Sequence, residues 1–229
     1  MENWKQINNI LCSEDDALEK IASIDNAKLL VISDSHGSED IITEVLKKFG
    51  EQADALCFCG DGADDLLYVI SNSWRVELEG KIPKVVAFVQ GNGDNSVGTI
   101  LTNERLLVHI PIQTEFFVAR KKILITHGHR YNVYMGTKQL KTAAENSSAD
   151  MAFFGHTHIA NVQTKKPPYL LNPGSCTRPR GGLPPTFAFV EISRTKKFEY
   201  NYYEITWNAF GEIDFRQYNP PTEEINILW

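Results

Sequence analysis

Residues 29–59 of this 229-residue chain read LLVISDSHGSEDIITEVLKKFGEQADALCFC. The apolar runs at residues 29–32 and 55–59 have the length of buried β-strands. Between them, apolar residues recur at helical spacing over residues 38–49, and Lys47 and Lys48 lie where cations favour the end of a helix. This stretch therefore predicts a β-α-β unit.

Three further apolar runs, at residues 85–89, 123–125 and 151–154, also predict buried strands. Shorter segments of alternating polarity predict strands of a more antiparallel kind, and they lie at residues 106–110, 115–118, 160–163, 186–192 and 197–203. No internal repeat or low-complexity linker interrupts the chain. We therefore expect an α/β fold with mixed sheets, formed by a single domain over residues 1–229 with its core at about 28–200.

The composition excludes several classes of protein. Hydrophobic residues make up 42% and charged residues 23% of the chain, which is ordinary for one large soluble domain. The formal net charge of −6 offers no broad basic surface, so nucleic acid is an unsupported partner. No apolar stretch approaches the roughly 18 residues of a membrane span, and residues 1–25 lack the pattern of a signal peptide. We expect a cytoplasmic protein without a membrane partner.

Each of the five apolar runs is followed at once by a short polar motif. The motifs are Asp34-Ser35-His36-Gly37, Gly60-Asp61-Gly62, Gly91-Asn92-Gly93-Asp94, His127-Gly128-His129 and Gly155-His156-Thr157-His158. Five of the six histidines of the chain fall inside these motifs. Because ligands bind at the carboxyl ends of strands in open α/β sheets, we expect the five motifs to converge at one edge.

The motifs offer carboxylate, amide and imidazole groups without thiolates, a set that suits Mn, Fe, Zn, Ni or Co. The motifs hold more such groups than one ion can bind, which predicts two divalent metal ions. Two neighbouring ions need a bridging carboxylate, and Asp61, with a glycine on each side, is the candidate. Two divalent ions, two ligand aspartates and one bridging hydroxide leave a local positive charge that attracts a phosphate anion.

The full series of motifs, which ends in Asn172-Pro173-Gly174-Ser175, resembles the calcineurin-like metallophosphoesterase superfamily. In its compactness the chain is similar to the small bacterial and archaeal phosphodiesterase branch, and the match spans residues 28–182. The resemblance implies a four-layer sandwich of two mixed β-sheets flanked by helices. It also implies that one ion is held by Asp34, His36, Asp61 and His158, and the other by Asp61, Asn92, His127 and His156.

The resemblance further implies hydrolysis of a phosphate ester, most simply a phosphodiester, by a hydroxide that bridges the two ions. Manganese is the first choice of metal, and the substrate is a small phosphate ester or a nucleotide. Phosphomonoesterase and nucleotide hydrolase activities are the alternatives within enzymes. The alternative from another class is a protein-binding scaffold, since a eukaryotic retromer subunit resembles the same fold.

One motif departs from the pattern of many relatives, which place a histidine where this chain has Gly93. That histidine can protonate the leaving group, so its absence leaves proton transfer to His36, His129 or water. His129 has no metal in the resemblance and can orient phosphate, donate a hydrogen bond or face water. The predicted catalytic residues are therefore His36, Asp61, Asn92 and His129. Asp94 is expected to fix a loop or a histidine tautomer.

Other segments are open to more than one interpretation. Arg178 and Arg180 can clamp a phosphate or belong to an exposed loop. The extension at residues 1–27 predicts a packing helix capped by Ser13, with Ala17, Leu18 and Ile21 on one face.

The tail after residue 200 is rich in aromatic residues, among them Trp207, Phe210 and Trp229, which are too many for a solvated extension. It is expected to pack on the parent sheet, to form the interface of a homo-oligomer or to line the substrate cleft. The four cysteines, Cys12, Cys57, Cys59 and Cys176, lack CxxC spacing and are expected to be reduced.

Overall fold

The computed structural model describes residues 3–196 and 198–220. The strands, in chain order, are β1 (Lys5–Ile7), β2 (Ile10–Cys12), β3 (Asn26–Ile32), β4 (Ala55–Phe58), β5 (Val85–Phe88), β6 (Val97–Leu101), β7 (Arg105–His109), β8 (Gln113–Val118), β9 (Lys121–Thr126), β10 (Met151–Phe153), β11 (Asn161–Gln163), β12 (Tyr169–Asn172), β13 (Thr186–Ser193), β14 (Glu199–Trp207) and β15 (Ile213–Tyr218). The α-helices are α1 (Ala17–Ser23), α2 (Glu39–Phe49), α3 (Ala63–Ser71) and α4 (Lys138–Asn146). Short 3-10 helices lie at Gly50–Gln52, His129–Tyr131 and Val133–Met135.

Two mixed sheets form the centre of the fold. The large sheet has the order β1-β2-β5-β4-β3-β13-β14-β15, with β3, β4 and β5 parallel and the other pairs antiparallel. The small sheet has the order β11-β12-β10-β9-β8, with β9, β10 and β12 parallel. A separate hairpin of β6 and β7 contacts α3. The parallel strands of each sheet all end at the edge where the polar motifs begin.

Alternation along the central strands divides the core into layers, because successive side chains of a strand point to opposite faces. Leu30 and Ile32 pack beneath α2 and α3, whereas Leu29 and Val31 face the small sheet. The other face of the small sheet, which includes Leu124, is covered by α4. Each fully buried side chain of this kind contributes about 1.5–3 kcal/mol. The four-layer sandwich of two mixed sheets flanked by helices is confirmed.

The strands predicted from apolar runs all form, with ends that shift by a few residues. The prediction at 197–203 becomes β14, although Lys197 itself lies outside the described residues. Five strands are not predicted by the sequence pattern, namely β1, β2, β6, β12 and β15. Several of these are three to five residues long or largely exposed, so neither a long apolar run nor clean alternation marks them.

The N-terminal extension is only partly helical. Residues 5–12 form a hairpin that joins the large sheet beside β5, and α1 follows it. The prediction that Ser13 caps this helix is wrong, because α1 begins at Ala17 after Asp16. The backbone N–H of Ser13 instead donates to the carbonyl of Lys84 at 3.1 Å and so continues the pairing of β2 with β5.

The aromatic tail extends the large sheet through β14 and β15, as the packing interpretation predicts. Tyr203 and Phe215 pack against the core beneath α2, and Tyr202 is buried between the sheets. Trp207 is 53% exposed and Phe210 is 90% exposed, so these two do not take part in that packing. Trp229 lies outside the described residues. Within residues 3–196 and 198–220, no helix has the length and apolar character needed to cross a membrane.

Candidate metal centre

The structure brings all seven predicted ligands together at one edge of the two sheets. The large sheet supplies three of them directly after β3 and β4 and one after β5, and the small sheet supplies the rest after β9 and β10. They are Asp34, His36, Asp61, Asn92, His127, His156 and His158. The convergence follows from topology, because parallel strands of one sheet end at the same edge.

One half of the cluster contains Asp34, His36, Asp61 and His158, each with one donor atom within 4.8 Å of the others. The Nε2 atoms of His36 and His158 are 3.1 Å apart, and His158 Nε2 lies 3.3 Å from Asp34 Oδ1. The Oδ2 atom of Asp61 is 3.9 Å from His36 Nε2. Four donors so arranged can hold one metal ion.

The other half of the cluster is centred on His127. Its Nε2 atom lies 3.2 Å from Asn92 Oδ1 and 3.1 Å from His156 Nδ1. The same Nε2 is 3.5 Å from Asp61 Oδ2. Asp61 therefore faces both halves, which is the position that a bridging carboxylate requires.

Hydrogen bonds to backbone carbonyls orient two of the imidazoles. A carbonyl can only accept, so His127 Nδ1 donates to the carbonyl of Cys59 at 2.7 Å. In the same way His158 Nδ1 donates to the carbonyl of Arg178 at 2.5 Å. In both rings the lone pair of Nε2 then points into the cluster, the arrangement that metal-bound histidines usually adopt.

The chemistry of the donor set fits divalent cations. Asp34 is fully buried, and its Oδ1 atom has no hydrogen-bond partner among the described residues. A buried carboxylate oxygen without a partner is costly, and a cation would satisfy it. Burial raises the pKa of Asp61, but His127 and the N–H of Gly93 lower this pKa by more. Burial lowers the pKa of His156 to about 4, which favours the neutral ring that a metal needs.

Five of the candidate ligands have left-handed backbone conformations, which non-glycine residues rarely adopt. The φ angles are 56° at Asp34, 46° at His36, 54° at Asp61, 68° at His156 and 60° at His158. Such conformations cost about 1 kcal/mol or more each and persist only where the surroundings hold them. The chain therefore turns sharply at each strand end to aim these side chains inward.

Glycines allow the closest approaches in the cluster. A Cβ atom on Gly91 would lie 2.1 Å from Asp61 Oδ1, and one on Gly155 would lie 2.0 Å from Ser33 Oγ. Both distances are far below van der Waals contact. The glycines after β5 and β10 are therefore required by the packing of the site.

Several residues outside the predicted ligand set hold the turns in place. Asp94 accepts the backbone N–H groups of Asp61, Gly62, Ala63 and Gly91 at 2.7–3.0 Å, so it fixes the loop. The carboxylate of Asp65 accepts from Ser35 Oγ at 2.6 Å and from Gly37 N at 2.8 Å. Nothing in the sequence predicts this role of Asp65, because acidic residues are common in the first turn of a helix.

The motif after β12 also supports the site. Ser175 Oγ donates to the carbonyl of Asp34 at 2.7 Å, and Thr177 Oγ1 donates to the same carbonyl at 3.1 Å. The Nδ2 group of Asn172 donates to the carbonyl of Gly155 at 2.9 Å. The two contacts to Asp34 connect residues more than a hundred positions apart. Together with the bond from Asn172, they hold the turns on which Asp34 and His156 lie.

A cleft of about 410 Å³ opens onto the cluster. It is lined by His36, Asp61, Asn92, Tyr134, His156, His158, Arg178, Pro179 and Arg180. The Tyr134 hydroxyl donates to the carbonyl of His156 at 2.7 Å, and its ring lies 4.5 Å from the imidazole. Tyr134 was not predicted from the sequence, because nothing around it marks a site residue.

His129 is absent from the described lining of the cleft. Its ring centroid is 5.4 Å from that of His127, and its Nδ1 atom is buried with no hydrogen-bond partner among the described residues. Burial lowers the pKa of His129. A catalytic role for this residue stays a prediction.

Comparison with known proteins identifies the family. The model of the calcineurin-like phosphoesterase superfamily domain matches residues 28–195. Phosphodiesterase YfcE of Escherichia coli is 29% identical over 181 residues, which cover 72% of this chain and 87% of that protein.

Two solved structures share the fold. One is a conserved protein of Streptococcus pneumoniae, described as a predicted phosphoesterase, with a TM-score of 0.60, 24% identity, and coverage of 86% of this chain and 99% of that chain. The other is vacuolar protein sorting 29 of Cryptosporidium parvum, with a TM-score of 0.60, 18% identity, and coverage of 85% and 98%. At these identities the likeness shows the fold alone.

The fold and the cluster of ligands define a metallophosphoesterase, a metal-dependent hydrolase of phosphate esters. The chain belongs to the calcineurin-like phosphoesterase superfamily, since the family model matches well over half of its length.

Proposed function

We propose that this protein is a phosphodiesterase that uses two divalent metal ions. The observation that carries the proposal is the position of Asp61, whose Oδ2 atom lies within 4 Å of Nε2 of both His36 and His127. The cluster opens onto a cleft lined by two arginines, which suits an anionic ester. The relative named a phosphodiesterase, YfcE, supports the choice of a diester.

One ion would be held by Asp34, His36, Asp61 and His158, and the other by Asp61, Asn92, His127 and His156. The nitrogen and oxygen donors suit manganese first, with Fe, Zn, Ni or Co as alternatives. Metal binding at these residues would supply positive charge that lowers the pKa of the attacking water and stabilises the phosphoryl oxygens.

The chain's own residues position the substrate and handle protons. Asn92 is exposed in the cleft, and its carboxamide has an NH₂ group for a phosphoryl oxygen while Oδ1 faces His127. With no side chain at Gly93, proton transfer to the leaving oxygen falls to His36, His129 or water, and of the two histidines only His36 lines the cleft. Substrates with good leaving groups are therefore expected to react fastest.

Two further features of the chain are proposed from its sequence. We propose that residues 1–229 form one domain. Four cysteines, all buried and without a disulfide partner in the structure, support a reducing and hence cytoplasmic setting.

The experiment is hydrolysis of a nitrophenyl phosphodiester and the matching monoester by chelator-stripped protein, each with and without added manganese. Manganese-dependent cleavage that favours the diester supports the proposal. Preference for the monoester would contradict the choice of a diester and indicate a phosphatase. No turnover of either ester in the presence of manganese would count against hydrolysis and favour the protein-binding scaffold.

A further inference from the structure

The backbone of Arg178 is built into the metal centre. Its N–H donates to Ser175 Oγ at 2.7 Å, and its carbonyl accepts from Nδ1 of the candidate ligand His158 at 2.5 Å. Ser175 in turn donates to the carbonyl of Asp34. Hydrogen bonds therefore fix the backbone of Arg178 relative to two candidate ligands, Asp34 and His158, and its side chain lines the cleft.

The guanidinium group of Arg178 has donors to spare. Its one hydrogen bond is a long one, from Nη2 to the carbonyl of His36 at 3.4 Å. No carboxylate of the described residues lies within ion-pair distance of it. A guanidinium carries five N–H donors, so most of those of Arg178 remain for a ligand in the cleft.

Arg180, on the same loop, is differently engaged. Its Nη1 atom donates to the Tyr134 hydroxyl, and its guanidinium lies 5.5 Å from the centre of the Tyr134 ring. Tyr134 in turn donates to the carbonyl of His156. Arg180 therefore braces the turn at His156, whereas Arg178 has no comparable side-chain partner among the described residues.

We propose that Arg178 binds a non-bridging oxygen of the substrate phosphate, beside the metal centre. This inference rests on the proposed function and adds the residue that orients the ester. The planar guanidinium matches the geometry of phosphate oxygens and can bind them through two N–H groups at once. Asp61 is the one carboxylate in the described lining of the cleft, and the metal centre uses it, so nothing there neutralises Arg178.

The test uses Arg178→Gln and Arg178→Lys in the manganese-loaded, full-length protein. Each variant is compared with wild type in kcat/KM for the nitrophenyl diester and in the affinity for inorganic phosphate, measured by calorimetry. Arg178→Gln is expected to lower both by about 10- to 100-fold, the usual effect of losing a charged hydrogen bond. Arg178→Lys keeps the positive charge but cannot bind phosphate through two parallel N–H groups. Its kcat/KM and phosphate affinity should therefore lie between those of wild type and Arg178→Gln.

Manganese content and thermal unfolding are measured on the same samples. Both should match wild type, because the contacts to Ser175 and His158 come from the backbone of Arg178 and survive the substitution. The matched control is Arg105→Gln, the same change at an exposed position on β7, which should bind phosphate as wild type does.

Unchanged phosphate affinity in Arg178→Gln would overturn the inference. Loss of manganese in that variant would also overturn it, since Arg178 would then act through the structure of the site. Failure of the proposed function is a separate result, because wild type would then turn over no ester. The phosphate affinities of wild type and Arg178→Gln would still decide the role of Arg178.

Discussion

At the scale of single residues, Asp61 lies between the two halves of the metal centre, with Oδ2 3.9 Å from His36 Nε2 and 3.5 Å from His127 Nε2. Asp34 Oδ1 lies 4.0 Å and 3.9 Å from the same two atoms. The backbone of Asp61 is held in a left-handed turn by Asp94, which accepts its N–H at 2.7 Å. Its Oδ1 atom accepts the N–H of Gly93 at 2.8 Å, which leaves Oδ2 directed at the imidazoles. Both the aim and the charge of this carboxylate are therefore set by its neighbours.

We expect Asp61→Asn to lose most of its bound metal and more than about 100-fold in activity. The substitution keeps the size of the side chain but removes the negative charge that two cations would share. Even the loss of a residue that only hydrogen-bonds to a metal ligand lowers metal affinity or activity by about 10–100-fold. Elemental analysis of the purified variant gives the metal content. Asp64→Asn, the same change at an exposed position of α3, should keep its metal. Full occupancy with wild-type turnover in Asp61→Asn would remove Asp61 from the bridge.

At the scale of elements, one carboxylate joins the turn after β4 to the turn after β5. Asp94 follows β5, yet three of its four backbone hydrogen bonds reach Asp61, Gly62 and Ala63 at the start of α3. The fourth reaches Gly91 within its own loop. The N-terminus of α3 thus gains an acceptor from another element, which satisfies N–H groups that have no partner inside the helix.

We expect Asp94→Ala to destabilise the protein by about 2–3 kcal/mol, because four backbone donors lose a charged acceptor at once. Urea unfolding measures the change in the free energy of unfolding. Asp64→Ala is the control, since it removes a carboxylate from the first turn of the same helix. The side chain of Asp64 makes no hydrogen bond to the described residues. Equal stability of the two variants would contradict the role of Asp94.

At the scale of the whole molecule, the two sheets must keep their relative position, since each supplies part of the metal centre. Tyr202 on β14 of the large sheet is fully buried between them. Its hydroxyl lies 3.0 Å from the carbonyl of Asn161 and 2.7 Å from that of Asn172, both on the small sheet. Its single proton can serve either acceptor. Burial raises the pKa of Tyr202, which keeps this donor protonated.

We expect Tyr202→Phe to lower the free energy of unfolding by about 1–2 kcal/mol, since the ring still packs but two buried carbonyls lose their shared donor. The control is Tyr200→Phe, because the Tyr200 hydroxyl makes no hydrogen bond to the described residues. Thermal and urea unfolding of both variants provide the measurement. A loss of stability in Tyr200→Phe as large as that in Tyr202→Phe would count against the hydrogen bonds between the sheets.

Much of the site was predictable because its signals are local. Asp34 and His36 directly follow a buried strand, as do His156 and His158, and strand ends converge wherever parallel strands share a sheet. Those strands are buried, so they are apolar over a short segment, and such a segment can be recognised in the sequence. The fold class and the candidate ligands could therefore be predicted from the sequence.

Other features depend on contacts between distant parts of the chain, which no local pattern records. Tyr134 and Asp65 support the site through hydrogen bonds, and each is a residue type that occurs throughout protein surfaces. The left-handed turns at the ligands and the free donors of Arg178 likewise arise from neighbours far away in sequence. Periodicity and motif order were enough to predict the layers and the donor set. Only the tertiary structure decides how each ligand side chain is oriented and which polar groups hydrogen-bond to it. The reason is that a hydrogen bond depends on distance and angle in space.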